Sequence, residues 1–368
     1  FRNAAEHKAK RAAHTLEKRE KGAAGMKTGN RKSVLACVGA VIGAGFVSGR
    51  EIYSFFTRYG QASWGLILLS AATMVFLCAL CMRRAQQEKI DCWCGLKCFS
   101  GTKLGALARG CVTALMLVTG GAMVSAAGHL VELIWPSAWA YPAGAVGTLL
   151  LAWMLGFRGV GPLSAVSGFL TAFLTGVMLV LLRQPDAGES TVQAQATAGS
   201  LLWGAVRAIC YGSMNMTVAI GVACRAEKGA SGCRCCDRRA LLTGLVLTGL
   251  LFGANALYLR HPGLQREAFP IVRLFQGFRR TGYVLCVTLL YLAVLTTLTA
   301  VLYALRGDMD GRGARPALSK ALTLGLPLAV SVVGFAGIVD GLYTPVGLCC
   351  LGLVFLPMLF SARKPRRA

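Results

Sequence analysis

Apolar stretches recur along this chain between short polar interruptions, each close to the roughly 20 residues that a bilayer-crossing helix needs. They fall at Ser33–Phe56, Gly65–Met82, Leu104–Leu133, Ala140–Phe157 and Val160–Leu182, and again at Leu201–Cys224, Ala240–Leu259, Gly282–Leu305, Ala317–Phe335 and Leu342–Phe360. The pattern predicts an all-α integral membrane protein with about ten transmembrane helices. A polar stretch, 184–200, separates a first set of five spans (33–183) from a second (201–361), and basic tails (1–32 and 362–368) flank the whole. An odd number of spans per half makes the second half enter the membrane in the opposite sense, which is the geometry of a 5+5 inverted repeat. The segment His261–Arg280 holds Pro262, Gly263 and Pro270, is too short and too interrupted to span, and predicts an external loop folded back as a lid.

Two spans depart from a lipid-facing pattern. The first reads Gly-Ala-Val-Ile-Gly-Ala-Gly-Phe-Val-Ser-Gly-Arg-Glu from Gly39 to Glu51. Its glycines Gly39, Gly43, Gly45 and Gly49 each lower helix propensity by about 1 kcal/mol relative to alanine. Arg50 and Glu51 are costly at membrane depth unless they face a partner or water. Span six carries Tyr-Gly-Ser-Met-Asn-Met-Thr at Tyr211–Thr217. Helices one and six are therefore expected to be broken, at Val41–Phe46 and Tyr211–Met216. Unwound backbone in a membrane is tolerated where it lines a cavity, and paired breaks point to a transport site. The expected substrate-binding residues are Gly43, Ala44, Gly45, Phe46, Tyr211, Ser213 and Asn215, with Thr113–Ser125 of span three as a wall. Half-helix N-termini at such breaks favour a substrate carboxylate.

Composition agrees with the hydropathy pattern. The 368 residues are 55% hydrophobic and 15% charged, against about 25% charged in soluble domains. The net charge of +24 suggests nucleic acid until its distribution is considered. With the N-terminus inside, 30 of the 39 Lys and Arg fall on the inner side, seven on the outer side, and Arg50 and Arg207 within spans. That asymmetry is the positive-inside signature, with contact to anionic headgroups as its by-product, and no nucleic-acid partner is expected. Residues 1–25 read as a soluble basic helix without the apolar core of a signal peptide, and Met26 is the expected start of the membrane protein. Most of the fifteen cysteines lie in spans or on the inner side, where thiols stay reduced. The clusters Cys92/Cys94/Cys98 and Cys233/Cys235/Cys236 lack paired zinc-site spacing, and metal binding by them stays open. Two of the four histidines lie in the tail and one in a loop, so no acid–base or metal constellation falls in the spans and an enzyme is not expected.

The charges left in the outer halves of spans are Arg50, Glu51, Arg207 and Asp340. Neighbours on a helix point about 100° apart, so Arg50 and Glu51 need different partners: Arg50 with Asp340 as an external gate, and Glu51 with Arg207 or the broken backbone. His129 and Glu132 read as an interfacial pair near Trp135.

Together, the first-span motif with Phe-Phe-Thr-Arg-Tyr-Gly after it, Tyr-Gly-Ser-Met-Asn-Met in span six, Thr-Thr-Leu-Thr-Ala-Val-Leu-Tyr in span eight and Gly-Phe-Ala-Gly-Ile-Val-Asp-Gly-Leu-Tyr-Thr-Pro-Val-Gly around span ten resemble the YkvI-like family of bacterial membrane proteins. The resemblance covers nearly all of residues 31–361. It departs at Arg50, where the family pattern has glutamine, and at Thr344, which stands between Tyr343 and Pro345. That family is similar to the amino acid–polyamine–organocation superfamily, which implies a LeuT-type fold. In sodium-coupled members an ion sits between the broken first span and span eight, so the resemblance implies Gly39, Ile42, Ala293, Thr296 and Thr297 as sodium ligands. Five neutral oxygens suit this hard cation. Span five has no lysine to replace it. The implied function is a secondary active transporter of a small amino-acid-like or organic solute, sodium-coupled, in the bacterial cytoplasmic membrane with both termini inside. The alternatives are proton coupling through Glu51, or a non-transporting, germinant-sensor-like receptor on the same fold.

Overall fold

The computed structural model describes residues 49–88, 96–156, 198–226, 233–261, 267–276, 280–310 and 315–360, with isolated residues at 34–48, 169–177 and 263–264. The tails, the linker as far as Thr197, nearly all of span five and the Cys92/Cys94 pair lie outside them. So do Ile42, Gly43, Ala44 and Gly45 of the first span. The described chain is helical throughout. After the outer end of span one, α1 (Arg50–Phe55), come a 3-10 segment (Thr57–Ala62), α2 (Ser63–Glu88), α3 (Leu96–Ile134) and α4 (Ala140–Gly156). These are followed by α5 (Ala198–Ala226), α6 (Cys233–Leu259), the short α7 (Pro270–Phe275), α8 (Arg280–Asp310), α9 (Pro316–Ser331) and α10 (Phe335–Phe360). Among the described residues five helices are long and apolar enough to cross a bilayer, within α2, α3, α6, α8 and α10, and α4 is a shorter apolar helix.

Local chemistry sets the ends of these elements. The chain enters α1 through Gly49 at φ +84°, a left-handed turn that side-chain-bearing residues avoid. A Cβ on Gly49 would also lie 2.1 Å from the Tyr258 hydroxyl of α6. The turn into α2 is tied to α6 by Asn255, which accepts from Thr57 Oγ1 at 2.8 Å and donates to Ser63 Oγ at 2.8 Å. The helix of the expected lid starts with Pro270 at its first position, where a missing N–H costs nothing. Span nine ends at Ser331 and span ten begins at Phe335, because Gly334 at φ +83° separates them; the expected boundaries at Phe335 and Leu342 are corrected accordingly. Within α10 the helix widens to π geometry at Ile338–Leu342 and Leu351–Phe355. Each widening closely precedes a proline, Pro345 or Pro357, whose ring nitrogen cannot donate to the preceding turn.

Span six corrects a stronger expectation: α5 is a continuous helix of 29 residues through Tyr211–Met216. Its polar side chains are satisfied without unwinding it. Asn215 Nδ2 donates to the Tyr211 carbonyl at 2.9 Å, and Thr217 Oγ1 to the Ser213 carbonyl at 2.8 Å. Gly212 serves close packing, since a Cβ there would meet Thr73 and the Ser70 carbonyl of α2 at 3.0–3.1 Å.

The helices pack in two groups. One is α2 against α5 and α6; the other is α3 with α4, α8 and α9, with α8 also on α4. α10 joins them, lying along α5 and touching α3. Each group draws members from both halves of the chain. Contact registers show the helix directions. Ser54 meets Arg207 and Tyr59 lies near Gly204, so the outer end of span one runs antiparallel to α5. Leu66 meets Gly204 and Thr73 meets Gly212, so α2 runs parallel to α5. Arg109 pairs with Asp308 while Gly120 packs on Val301, making α3 and α8 antiparallel.

Candidate functional site

Four elements from both groups converge on one buried polar cluster. α1 contributes Glu51, which is only 7% exposed although it carries a carboxyl. Residues 51, 54 and 55 share a helix face, and that face meets α5, where Arg207 and Tyr211 are likewise one turn apart. Glu51 lies beside the Tyr211 phenol, and Tyr343 of α10 is close to both. Tyr343 reaches Thr119 of α3, within the expected wall of the site. The Phe55 and Phe56 rings each lie 5.1 Å from that of Tyr211, in tilted and edge-on arrangements. Phe46 is buried nearby in sequence, 4% exposed. The Tyr211 hydroxyl is fully buried among Glu51, Asn215 and Tyr343.

Above this cluster, at the end that the charge pattern assigns to the outside, Arg50 and Asp340 are ion-paired, with Asp340 standing in the first π segment of α10. Arg50 Nη1 also donates to the Glu267 carbonyl at 3.2 Å, which ties the loop preceding α7 to the same point. Span one, span ten and the segment before α7 therefore meet in one guanidinium.

The expected Glu51–Arg207 pair does not form. Arg207 is buried, its Nη2 donates to Ser54 Oγ at 2.7 Å, and its guanidinium lies over the Phe55 ring at 4.9 Å. The register of two antiparallel helices explains this: residue 207 faces 54 and 55, and residue 211 faces 51. Ser213 also looks away from Tyr211, its Oγ lying 2.7 Å from the Gly347 carbonyl of α10 and 2.9 Å from that of Cys210. Asn215 is bonded within its own helix. With α5 continuous, span six offers no half-helix N-terminus to hold a carboxylate.

On α8, Thr296 Oγ1 donates to the Ala293 carbonyl at 3.0 Å and Thr297 Oγ1 to the same carbonyl at 2.8 Å, so three of the oxygens implied as sodium ligands lie together, bonded within their own helix. Each hydroxyl that donates its hydrogen there keeps lone pairs for a cation. Gly39 is helical in the first span, and Ile42 lies outside the described residues.

Some polar groups now visible were not singled out from sequence. Tyr343 and Phe55 are among the groups in the cluster with no role assigned from sequence. At the opposite end of the molecule Asp308 accepts from Arg109 Nε at 2.5 Å and from Thr113 Oγ1 at 2.9 Å, locking α8 to α3; the Arg-Gly-Asp-Met-Asp run after span eight was its signal. Arg83 grips Asp237 through two bonds of 2.7 and 2.6 Å and joins α2 to α6. His129 and Glu132 approach to 3.3 Å at the exposed end of α3. Among the described residues no group of three His, Cys, Asp or Glu side chains converges on a metal position. Of the second cysteine cluster, only the Cys236 side chain is described, and it is buried.

No family model matches the chain. It is 23% identical over 336 residues to the uncharacterized membrane protein YkvI of Bacillus subtilis (strain 168), covering 90% of this chain and 95% of that one. Its fold is similar to that of Mhp1, a nucleobase-cation-symport-1 family transporter solved in a closed conformation with bromovinylhydantoin bound. There the TM-score is 0.58 and the identity 16%, over 87% of this chain and 75% of the other. It is also similar to the Eremococcus coleocola manganese transporter in complex with an aromatic bis-isothiourea substituted compound, at a TM-score of 0.60 and 13% identity, over 91% and 78% of the two chains. At such identities the likeness to the solved structures is one of fold. The chain is a homologue of the YkvI membrane protein, built on the LeuT-type fold of these transporters.

Proposed function

We propose that this protein is a secondary active transporter for a small organic solute, amino-acid-like or otherwise, that works by alternating access and is driven by sodium. The observation that carries the reading is the meeting of α1, α5, α10 and α3 around Glu51, Tyr211, Tyr343 and Thr119, beneath an ion pair that also fastens the lid segment. Buried polar groups at membrane depth are costly unless they serve a pathway. A site shared by two helix groups is one that relative motion of the groups can open and close. In this reading Arg50–Asp340 is the outer latch. The antiparallel register of span one and span six supports an inverted repeat of two five-helix halves, and the inward bias of Lys and Arg supports cytoplasmic termini in a bacterial inner membrane.

Sodium is cargo in this scheme, held by the Ala293 carbonyl and the Thr296 and Thr297 hydroxyls of α8 with the carbonyls of Gly39 and Ile42. The grouping of these three oxygens on one turn of α8 is what the assignment rests on; both hydroxyls also bond back to the Ala293 carbonyl. Thr296→Ala and Thr297→Ala each remove one ligand oxygen, and coupled ligands affect one another reciprocally. Solute binding and uptake into proteoliposomes are to be compared in sodium and in potassium for wild type and both variants. The expected result is solute accumulation by wild type in sodium, with sodium affinity and solute binding both falling about tenfold in each variant, about 1.4 kcal/mol of coupling. Equal wild-type binding in the two salts removes sodium and leaves proton coupling through Glu51; binding without accumulation in either salt leaves a receptor.

A further inference from the structure

Two successive turns of span one present charge sites to α5, and they are filled differently. On the outer turn a cation is already in place: the Arg207 guanidinium lies 4.9 Å over the Phe55 ring and donates to Ser54 Oγ. One turn deeper the same helix offers a carboxylate, Glu51, with the rings of Phe55, Phe56 and Tyr211 packed together beside it and the fully buried Tyr343 facing it. No cation of the described residues pairs with that carboxylate. Arg207 is held a turn away, and Arg50, the neighbour of Glu51 in sequence, is turned to Asp340 and the Glu267 carbonyl.

A buried carboxyl can carry its charge only where a counter-charge meets it, since an unpaired buried carboxylate costs several kcal/mol. Aromatic faces carry negative electrostatic potential, which attracts a cation and repels an anion. The Tyr211 hydroxyl beside Glu51 adds a neutral donor to the same cluster. A hard dication is a poor match, because among the described residues no further His, Cys or acidic ligands join Glu51 in a set of three. A monocation of low charge density matches one carboxylate and several rings.

We propose that Glu51, with Tyr211, Phe55 and Tyr343, is the subsite for a cationic nitrogen of the solute, an ammonium or guanidinium on a small organic body. The proposal deepens the transporter reading and rests on it. It runs against the carboxylate recognition expected from a broken span six, which the continuous α5 does not supply.

The test uses the full chain purified in detergent with sodium present, and measures thermal unfolding against probes of matched shape. Butylammonium, butylguanidinium and choline are the cations; butanol and 3,3-dimethylbutanol are the neutral counterparts, and butanoate is the anion. A ligand that binds the native state raises its apparent stability. The expected result is that at least one cation stabilises wild type, with at least tenfold higher affinity than its neutral counterpart. Glu51→Gln should lose that preference at least tenfold, and Glu51→Asp should keep part of it. The proposal is overturned if no cation stabilises wild type, if butanol or butanoate does so equally well, or if Glu51→Gln binds the cation unchanged. The wild-type comparison stands even where Glu51→Gln does not fold. Uptake separates this proposal from the reading beneath it. A cation that binds through Glu51 but never accumulates in proteoliposomes sinks the transporter and leaves the subsite, whereas accumulation confined to neutral or anionic solutes sinks the subsite and leaves the transporter.

Discussion

Span one and span six carry the same kind of sequence, glycines and polar residues inside an apolar run, yet they fold differently. The described part of span one turns left-handed at Gly49 before α1 begins, while α5 runs unbroken for 29 residues. The difference lies in what each glycine does. Gly49 combines φ +84° with the Tyr258 hydroxyl packed where its side chain would be, so backbone and neighbour both demand it. Gly212 keeps helical geometry and only admits α2 closely. The serine, asparagine and threonine of α5 bond to carbonyls of their own helix and of α10, a behaviour that leaves a membrane helix intact. Glycine at a junction redirects the chain; the same residue within a packed helix brings a neighbour closer.

The strongest way to break that comparison is Gly49→Ala. The left-handed turn and the overlap with Tyr258 together should destabilise the protein by about 2–4 kcal/mol, seen as a lower midpoint of thermal unfolding in detergent. A wild-type midpoint would mean that the turn is dispensable. Gly212→Ala meets crowding but no backbone penalty, so its cost should be about 1–2 kcal/mol, with helix content by circular dichroism unchanged. If Gly212→Ala proves costlier than Gly49→Ala, the roles assigned to the two glycines are reversed. Ser213→Ala should cost about 1 kcal/mol through loss of the contact to the Gly347 carbonyl, and solute binding should persist. Abolished binding with normal stability would return Ser213 to the substrate site. Arg50→Gln, which restores the residue of the family pattern, should change stability by less than about 1 kcal/mol, since Asp340 is partly exposed. Its effect should instead be faster labelling, from the outer side, of a cysteine introduced at Phe46, measured against the labelling of the native thiols.

Much of this was legible in the chain. Periodicity and length located α2, α3, α4, α6 and α8 to within a few residues at most ends, with inner-end extensions up to eight residues longer, because a span is defined by bilayer thickness and local hydropathy. The segment around Pro270 was legible as too short and interrupted to span, but it was expected as a loop, and its helix at Pro270–Phe275 was not foreseen. Arg50 and Asp340 stood out as opposite charges at the same end of two spans, and the structure pairs them. The partner of Glu51 was not legible. Arg207 was the nearest opposite charge by sequence reasoning, but the antiparallel register sets it against Ser54 and Phe55, one turn too far out. Tyr343 gave no warning either, since an aromatic in span ten looks like core until helix packing brings it to Glu51.

The amino-acid sequence alone determined where apolar helices form along the chain and which residues are too polar to face lipid. Those properties belong to single segments and their surrounding solvent, so neighbours do not alter them. Tertiary structure decided whether a glycine-rich polar stretch bends or stays helical, and which buried charges meet. Both depend on where backbone carbonyls and side-chain donors find partners: in α5 they find them within the helix and on α10, at Gly49 the Tyr258 side chain fills the space, and around Glu51 the partners are phenols and rings brought by helices far apart in the chain.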